Sequence, residues 1–301
     1  MVRRVLAALS VLAVGAAVLA GCSSRSGAAG DGVPVVATTT QAGDMVRAVG
    51  GDRVHVDQLL APNADPHEYE PRPSDAQALS GAKVVVRSGG DVDDWLASLI
   101  EATGKPDQSV TLIDSVDRHG DDPHWWQDPR GGERAVAAIR DALVKADPSG
   151  ADGYRQRAAS YIARLKRLDA AIARCVGRLP VAGRKLVTSH DALGYFARRY
   201  GFTVIGAAIP SRSTQAQPSA AATARLVDQI RRERVPAIFP ESSLNPKLER
   251  AIARDAGAKV GGALWADSLG PKGSSGATYL GSLAANAETV VAGLGGGKCG
   301  L

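Results

Sequence analysis

The sequence contains no H-E-x-x-H pair on a helix, which removes a common signature of zinc hydrolases, and no glycine-rich phosphate loop, which removes nucleotide hydrolysis. The apolar run near its start, Val5 to Leu19, falls short of the ~20 residues that cross a bilayer comfortably. Lysine and arginine are scattered, without an aromatic-interleaved basic stripe, so nucleic acid is not an expected partner. Cysteine is scarce, with three in 301 residues, and histidine nearly so, with five. Against that scarcity one repetition stands out. ADPHEYEPRP and DDPHWWQDP each place a histidine behind Asp-Pro, at Asp65-Pro66-His67 and Asp122-Pro123-His124. Proline stiffens the backbone before each ring, and neighbouring aromatics shield it. Such a setting suits an imidazole that must be aimed.

The first residues, MVRRVLAALSVLAVGAAVLAGC, combine a basic start, an apolar stretch and small residues, the layout of a secretory signal. Leu19-Ala20-Gly21-Cys22 resembles the bacterial lipobox, in which the signal is cut before a cysteine that then carries lipid. The expected division is a signal peptide over residues 1–21, then lipidated Cys22 and a flexible tether over 22–33. Loss of Arg3 and Arg4 leaves 34 basic against 31 acidic residues, a net charge of +3. With Cys22 committed to lipid, Cys175 and Cys299 remain in an oxidising compartment and are expected to form a disulfide, two free thiols being the alternative.

The folded part exceeds the usual single-core size, so two lobes are expected. Short β-branched runs alternate with helical stretches: PVVATTT, RVHVDQLL, AKVVVRSG and SVTLID read as strands, with helices GDMVRAVG, PSDAQALSG and DVDDWLASLIEATG between them, the last stopping at Gly104. The pattern predicts an α/β fold with parallel sheets flanked by helices. A helix over ERAVAAIRDALVKADP follows. The next segment runs about 28 residues with no interior proline, with Tyr161, Leu165, Leu168, Ile172 and Cys175 or Val176 on one face. It reads as one long rigid helix joining two lobes. RKLVTSH, FTVIGAAI, PAIFPE and AKVGGALW then read as strands of a second alternation, with helices after each. The expected boundaries are an N-terminal α/β lobe over 34–148, a connecting helix over 149–180 and a C-terminal α/β lobe over 181–301.

Ligands of open α/β sheets bind beyond the C-terminal strand ends. His67, His124 and His190 each follow a predicted strand, and Asp267 follows a fourth, two from each lobe. Three neutral nitrogens and one carboxylate suit a borderline divalent cation, tetrahedral zinc first among them. Glu241 also stands at a strand end, either as a partner that orients a ligand histidine or neutralises charge, or as a structural salt bridge or cap. Asp191 reads as the N-cap of the helix after His190. His55, inside a strand, reads as structural, and His119 as a solvated loop residue. Trp125 and Trp126 are expected to keep the site dry, with ordinary packing as the plainer reading.

Over essentially the whole mature chain the sequence resembles the zinc/manganese solute-binding lipoproteins of bacterial ABC importers (cluster A-I). The resemblance rests on ADPHEYEPRPSD, DPHWWQDP, TSHDALGYFARRYG and FPESSLNPKLERAIARDAGAKVGGALWADSLG. It implies the ligand set His67, His124, His190 and Asp267, one Zn²⁺ per chain, two lobes on a rigid backbone helix, and no enzymatic activity. It also implies a monomer held at the cell membrane through Cys22, handing the cation to a permease driven by a separate ATPase chain. Manganese is the alternative cargo; histidine at the third position leans toward zinc, because imidazole suits zinc better. More distant readings are a surface adhesin and a zinc hydrolase, the latter disfavoured because four protein ligands leave no open position for water. Two departures from the family pattern are Gln127, where an apolar residue is usual, and the missing His-rich loop, the link from Thr111 to His124 adding only His119.

Overall fold

The structure, a computed structural model, describes residues 32–102 and 108–301. The expected signal segment, Cys22, most of the tether, and the helix stop at Gly104 lie outside the described residues. Val33, read as the end of the tether, instead opens the first strand.

In the N-terminal half, β1 (Val33–Ala37), β2 (Val54–Gln58), β3 (Val84–Arg87) and β4 (Ser109–Thr111) form one parallel sheet in the order β2-β1-β3-β4. The inner strands β1 and β3 are almost wholly buried, as continuous apolar runs require, whereas edge strand β2 alternates half-buried valines with exposed His55 and Asp57. His55 is therefore a surface residue and not a packed structural one. PVVATTT stops being strand at Ala37 because Thr39 turns to cap α1 (Thr40–Gly50), its hydroxyl accepting the Ala42 N–H at 3.3 Å. α2 (Pro73–Gly81) spans the expected residues, and the Asp75 carboxylate accepts the Arg72 N–H at 2.7 Å at its start. α3 is described over Ala97–Ala102, preceded by a 3-10 turn, and a second 3-10 turn, Leu112–Ser115, replaces the second half of the SVTLID strand.

α4 (Pro129–Ala146) leads into α5 (Ala151–Val176), 26 residues long and ~39 Å at 1.5 Å per residue. The buried face of α5 carries Tyr154, Ala158, Tyr161, Leu165, Asp169, Ile172 and Cys175; Leu168 is only half-buried, and Asp169 takes the covered position beside it. Asp169 is tolerated there because Tyr200 donates to it at 2.9 Å and Arg199 pairs with it. Nearer its start, Arg157 donates to the carbonyls of Val49 and Gly50 at 2.7 and 2.8 Å. The helix is thus bonded to both halves of the chain. At its C-terminal end Cys175 is bridged to Cys299 with a Cα–Cα distance of 5.5 Å, as the cysteine count predicts.

The second half supplies β5 (Lys185–Thr188), α6 (Gly194–Tyr200), β6 (Thr203–Ala207), α7 (Ala220–Glu233), β7 (Ala237–Ile238), α8 (Lys247–Ala256), β8 (Lys259–Val260) and α9 (Tyr279–Gly293). β5 pairs with β6 and β7 with β8, all parallel, and a bridge between Thr188 and Phe239 joins the two pairs. β7 and β8 are shorter than PAIFPE and AKVGGALW suggest. Pro236 and Pro240 flank β7 without an N–H to give, and Gly261-Gly262 follow β8 with little propensity to extend it. One buried apolar core runs from Val35 and Met45 through Trp125 and Leu165 to Phe196, Tyr279 and Val290, so the described residues form one compact unit. A separate cluster under α7 and α8 holds Val187, Leu226, Ile230, Ile238 and Ile252.

Candidate metal centre

The two halves meet where their strand-end loops face each other. His67 sits in a 3-10 turn, Pro66–Glu68, on the irregular segment between β2 and α2. His124 ends the loop after β4, directly before the 3-10 turn Trp125–Gln127. His190 lies two residues past β5, and Asp267 in the irregular segment after β8. One donor atom from each of the four lies within 4.8 Å of the other three. His124 and His190 are completely buried and Asp267 is 2% exposed. Nε2 of His190 is 3.1 Å and Nε2 of His67 3.3 Å from Asp267 Oδ2, and Nε2 of His124 is 3.5 Å from Asp267 Oδ1. His67 Nε2 and both Asp267 oxygens are buried without a hydrogen-bond partner. Leaving such groups unsatisfied is costly, so a cluster of this kind is built for something that bonds to all of them.

Each fully buried histidine is braced from behind. A single Glu241 oxygen meets His190 at both the backbone N–H, 3.1 Å, and ring Nδ1, 2.6 Å. Asp122 does the same for His124, at 3.0 and 2.7 Å. A carboxylate on Nδ1 fixes the tautomer, turns Nε2 toward the centre and raises its basicity. Glu241 therefore has the orienting position that its strand-end location suggested. Asp122 carries no assigned role in the sequence reading. Its contact with the ring could have been suspected from the recurrence of Asp-Pro-His, but Asp65 shows that the motif does not guarantee it. Asp65 accepts the His67 N–H at 2.9 Å, yet among the described residues no carboxylate meets His67 Nδ1. Ser189 and Glu249 had no sequence signal. The Ser189 hydroxyl donates to Glu249 at 2.5 Å and accepts the Glu241 N–H at 3.0 Å, fixing the backbone from which Glu241 reaches His190.

Two carboxylates, Asp267 and Glu241, bias the protonation of His190, and Asp267 that of His67. Burial opposes charge on His190, but Asp267 and Glu241 outweigh it and push its pKa well above the usual histidine range. His67 is raised in the same way, burial opposing and Asp267 prevailing. Burial also opposes ionisation of Asp267, but His190 and His124 hold it well below the usual carboxylate range. Burial pushes Glu241 up, with His190 pulling against it. The centre attracts positive charge, which a divalent cation can supply in place of protons.

The tryptophans are both packing and scaffold. Trp125 is wholly buried and its indole N–H donates to Ser88, while the Trp126 ring lies 5.3 Å from that of His124. Trp126 Nε1 and Gln127 Nε2 donate to the Ala266 carbonyl at 2.7 and 2.6 Å, beside Asp267. Gln127, unusual by sequence, thus bonds the second ligand segment to the fourth. Asp191 does not cap α6, whose N-cap is Leu193; its N–H donates to Ser211 O at 2.9 Å, because two further residues are needed before the chain turns into helix. His119 stands outside the cluster. It is half-buried with its ring 4.3 Å from that of Tyr195, and so is not simply solvated.

Residues 35–293 match the family model described as "ZnuA: Zinc-uptake complex component A periplasmic". The chain is 32% identical to the manganese-binding lipoprotein MntA of Halalkalibacterium halodurans, across 94% of this chain and 97% of that one. It is 33% identical to the zinc-binding protein TroA of Treponema pallidum, across 89% and 91%. A solved structure of the periplasmic zinc-binding protein TroA superimposes with a TM-score of 0.80 at 30% identity, covering 86% of this chain and 98% of that one. With this fold and this length of match, the chain belongs to the ZnuA family of extracytoplasmic metal-binding receptors of ABC importers, which are substrate-binding proteins and not enzymes.

Proposed function

We propose that this receptor captures one Zn²⁺ at His67, His124, His190 and Asp267 and delivers it to a permease powered by a separate ATPase chain. The observation that carries the reading is the donor set: three imidazoles and one carboxylate, buried, mutually within 4.8 Å, two of the imidazoles held by carboxylates at Nδ1. Zinc favours such nitrogen-rich four-ligand sites, and the closed set leaves no position for a reacting water. Cys22 is the anchor in this reading, holding the monomeric receptor at the outer face of the cell membrane, as the lipoprotein names of relatives support.

A second reading, manganese as cargo, draws on the relatives named manganese-binding, two of them 32% identical to this chain. The test is a titration of the metal-stripped chain from Ser23 with zinc and with manganese, for wild type and His190→Ala. One zinc per chain, not displaced by manganese and lost in His190→Ala, supports zinc. Comparable manganese binding under metal-buffered conditions makes the receptor part of a manganese or dual-metal importer. No stoichiometric binding of either metal removes the four-residue site.

A further inference from the structure

The four candidate ligands are not held alike. His124 and His190 are fully buried, and each is fixed at two atoms by a carboxylate. Asp267 lies between Ala266, whose carbonyl takes Trp126 and Gln127, and Leu269, whose N–H donates to Thr40 Oγ1 at 2.8 Å. His67 alone rides on an irregular segment with no such support for its ring. That segment crosses the cleft and is bonded to the far side at two places. At its start Asn63, in a left-handed conformation with φ 61°, donates from its backbone to Leu269 O at 2.8 Å and from its side chain to Ser242 O at 3.2 Å. At the histidine itself the Thr214 hydroxyl donates to Asp65 at 2.6 Å and the Gln215 amide donates to the His67 carbonyl at 2.5 Å.

We infer that Thr214 and Gln215 form a latch that sets how fast the cation leaves, with His67 the ligand that lets go first. Gln215 is exposed and Thr214 half-buried, so water can replace their hydrogen bonds at a smaller cost than at the braces of the fully buried His124 and His190. Breaking the braces on His124 or His190 would instead strand buried polar groups. With Thr214 and Gln215 released, the bonds at Asn63 still hold the base of the segment, so the His67 end is free to swing while the rest of the site stays assembled. The latch also senses the opposite half. Thr214 and Gln215 stand three and four residues past Ser211, whose carbonyl takes the N–H of Asp191 next to His190, in the same loop as Ile209, whose N–H donates to Ser189 O at 2.7 Å. A partner that displaces the loop after β6 would therefore free His67. These are positioning residues; neither supplies a donor to the cation.

The inference rests on metal capture at the four-residue site, and the experiment separates the two. Zinc association and chelator-chased dissociation are measured by stopped flow on the chain from Ser23, which retains all the described residues. The variants are Thr214→Val/Gln215→Ala, Thr214→Ser and His124→Ala, with hydrogen exchange at the His67 N–H as an independent readout. Wild type that binds no zinc, or His124→Ala that binds it unchanged, overturns the capture reading itself. If wild type binds and the capture reading holds, the latch predicts dissociation about 10- to 30-fold faster in the double variant, as expected for two lost hydrogen bonds. Association stays within about twofold, exchange at His67 quickens, and Thr214→Ser, which keeps the hydroxyl, stays close to wild type. An unchanged dissociation rate in the double variant overturns the latch, and so does a Thr214→Ser variant that releases zinc as fast as Thr214→Val.

Discussion

Replacing Glu241 by alanine tests whether orientation from behind the ligand matters as much as the geometry implies. Glu241 is 3% exposed and contacts His190 at both the backbone N–H and Nδ1. Its loss frees the ring to rotate and to exchange tautomers, which for partners of this kind costs roughly 10- to 100-fold in metal affinity. That corresponds to about 1.4 to 2.8 kcal/mol. Saturating metal stabilises a receptor in proportion to the logarithm of its affinity, so the zinc-induced rise in melting temperature shrinks by about 3 to 6 °C at roughly 2 °C per kcal/mol for a chain of this size. Glu241→Gln separates orientation from charge: the amide oxygen still accepts from Nδ1–H, so its affinity falls between wild type and alanine. The assay is chelator competition for affinity, with melts in the presence and absence of zinc. A folded Glu241→Ala protein whose zinc affinity lies within about twofold of wild type would refute the reasoning.

Acid should release the cation, because protons compete for His67 and His190, whose pKa values are raised. Apparent zinc affinity falls by up to about two decades per pH unit below both values, and a slope near zero between about pH 7.5 and 5.5 argues against these ligands. The stripped protein has the opposite sign: stability from the raised histidines is full below their unfolded value of about 6.5 and is lost as pH rises through the folded values. Asp267 supplies stability above its unfolded value of about 3.9, lost as pH falls through its depressed folded value. Cys175→Ser, which opens a bridge spanning 124 positions, lowers stability by about 2 to 5 kcal/mol in denaturant melts while zinc affinity stays unchanged, since neither cysteine is part of the cluster. Gln127→Leu costs less than about 1 kcal/mol, because Trp126 still satisfies the Ala266 carbonyl; a loss of several kcal/mol in the same melts would show that Gln127 holds the two ligand segments together unaided.

The alternation of strand and helix was readable because buried parallel strands appear as apolar runs and the long helix keeps its covered residues three and four apart, from Tyr154 to Cys175. What the local pattern misjudged were the ends. β7 and β8 shrink to two residues each between prolines and glycines, and Thr39 leaves the strand for a helix cap. The ligand candidates were legible because a scarce residue recurs at strand ends, and strand direction in a parallel sheet brings those ends to one side. Asp122 was half legible: its bond to the following backbone is a local turn rule, whereas its bond to the His124 ring depends on the rotamer that the Trp126 side chain and the cleft impose. Glu241, 51 positions from His190, and Ser189, 60 from Glu249, meet only because β5 and β7 lie side by side. Thr214 and Gln215, 149 and 148 positions from their partners, carry no signature at all. Sequence by itself determined which side chains can bind a cation and roughly where on the sheets they stand, since both follow from residue chemistry and local periodicity. Tertiary structure alone decided how each is held, because the braces and the latch are contacts between segments far apart in the chain, and hydrogen bonds of a few ångströms exist only once the two halves have closed on a common core.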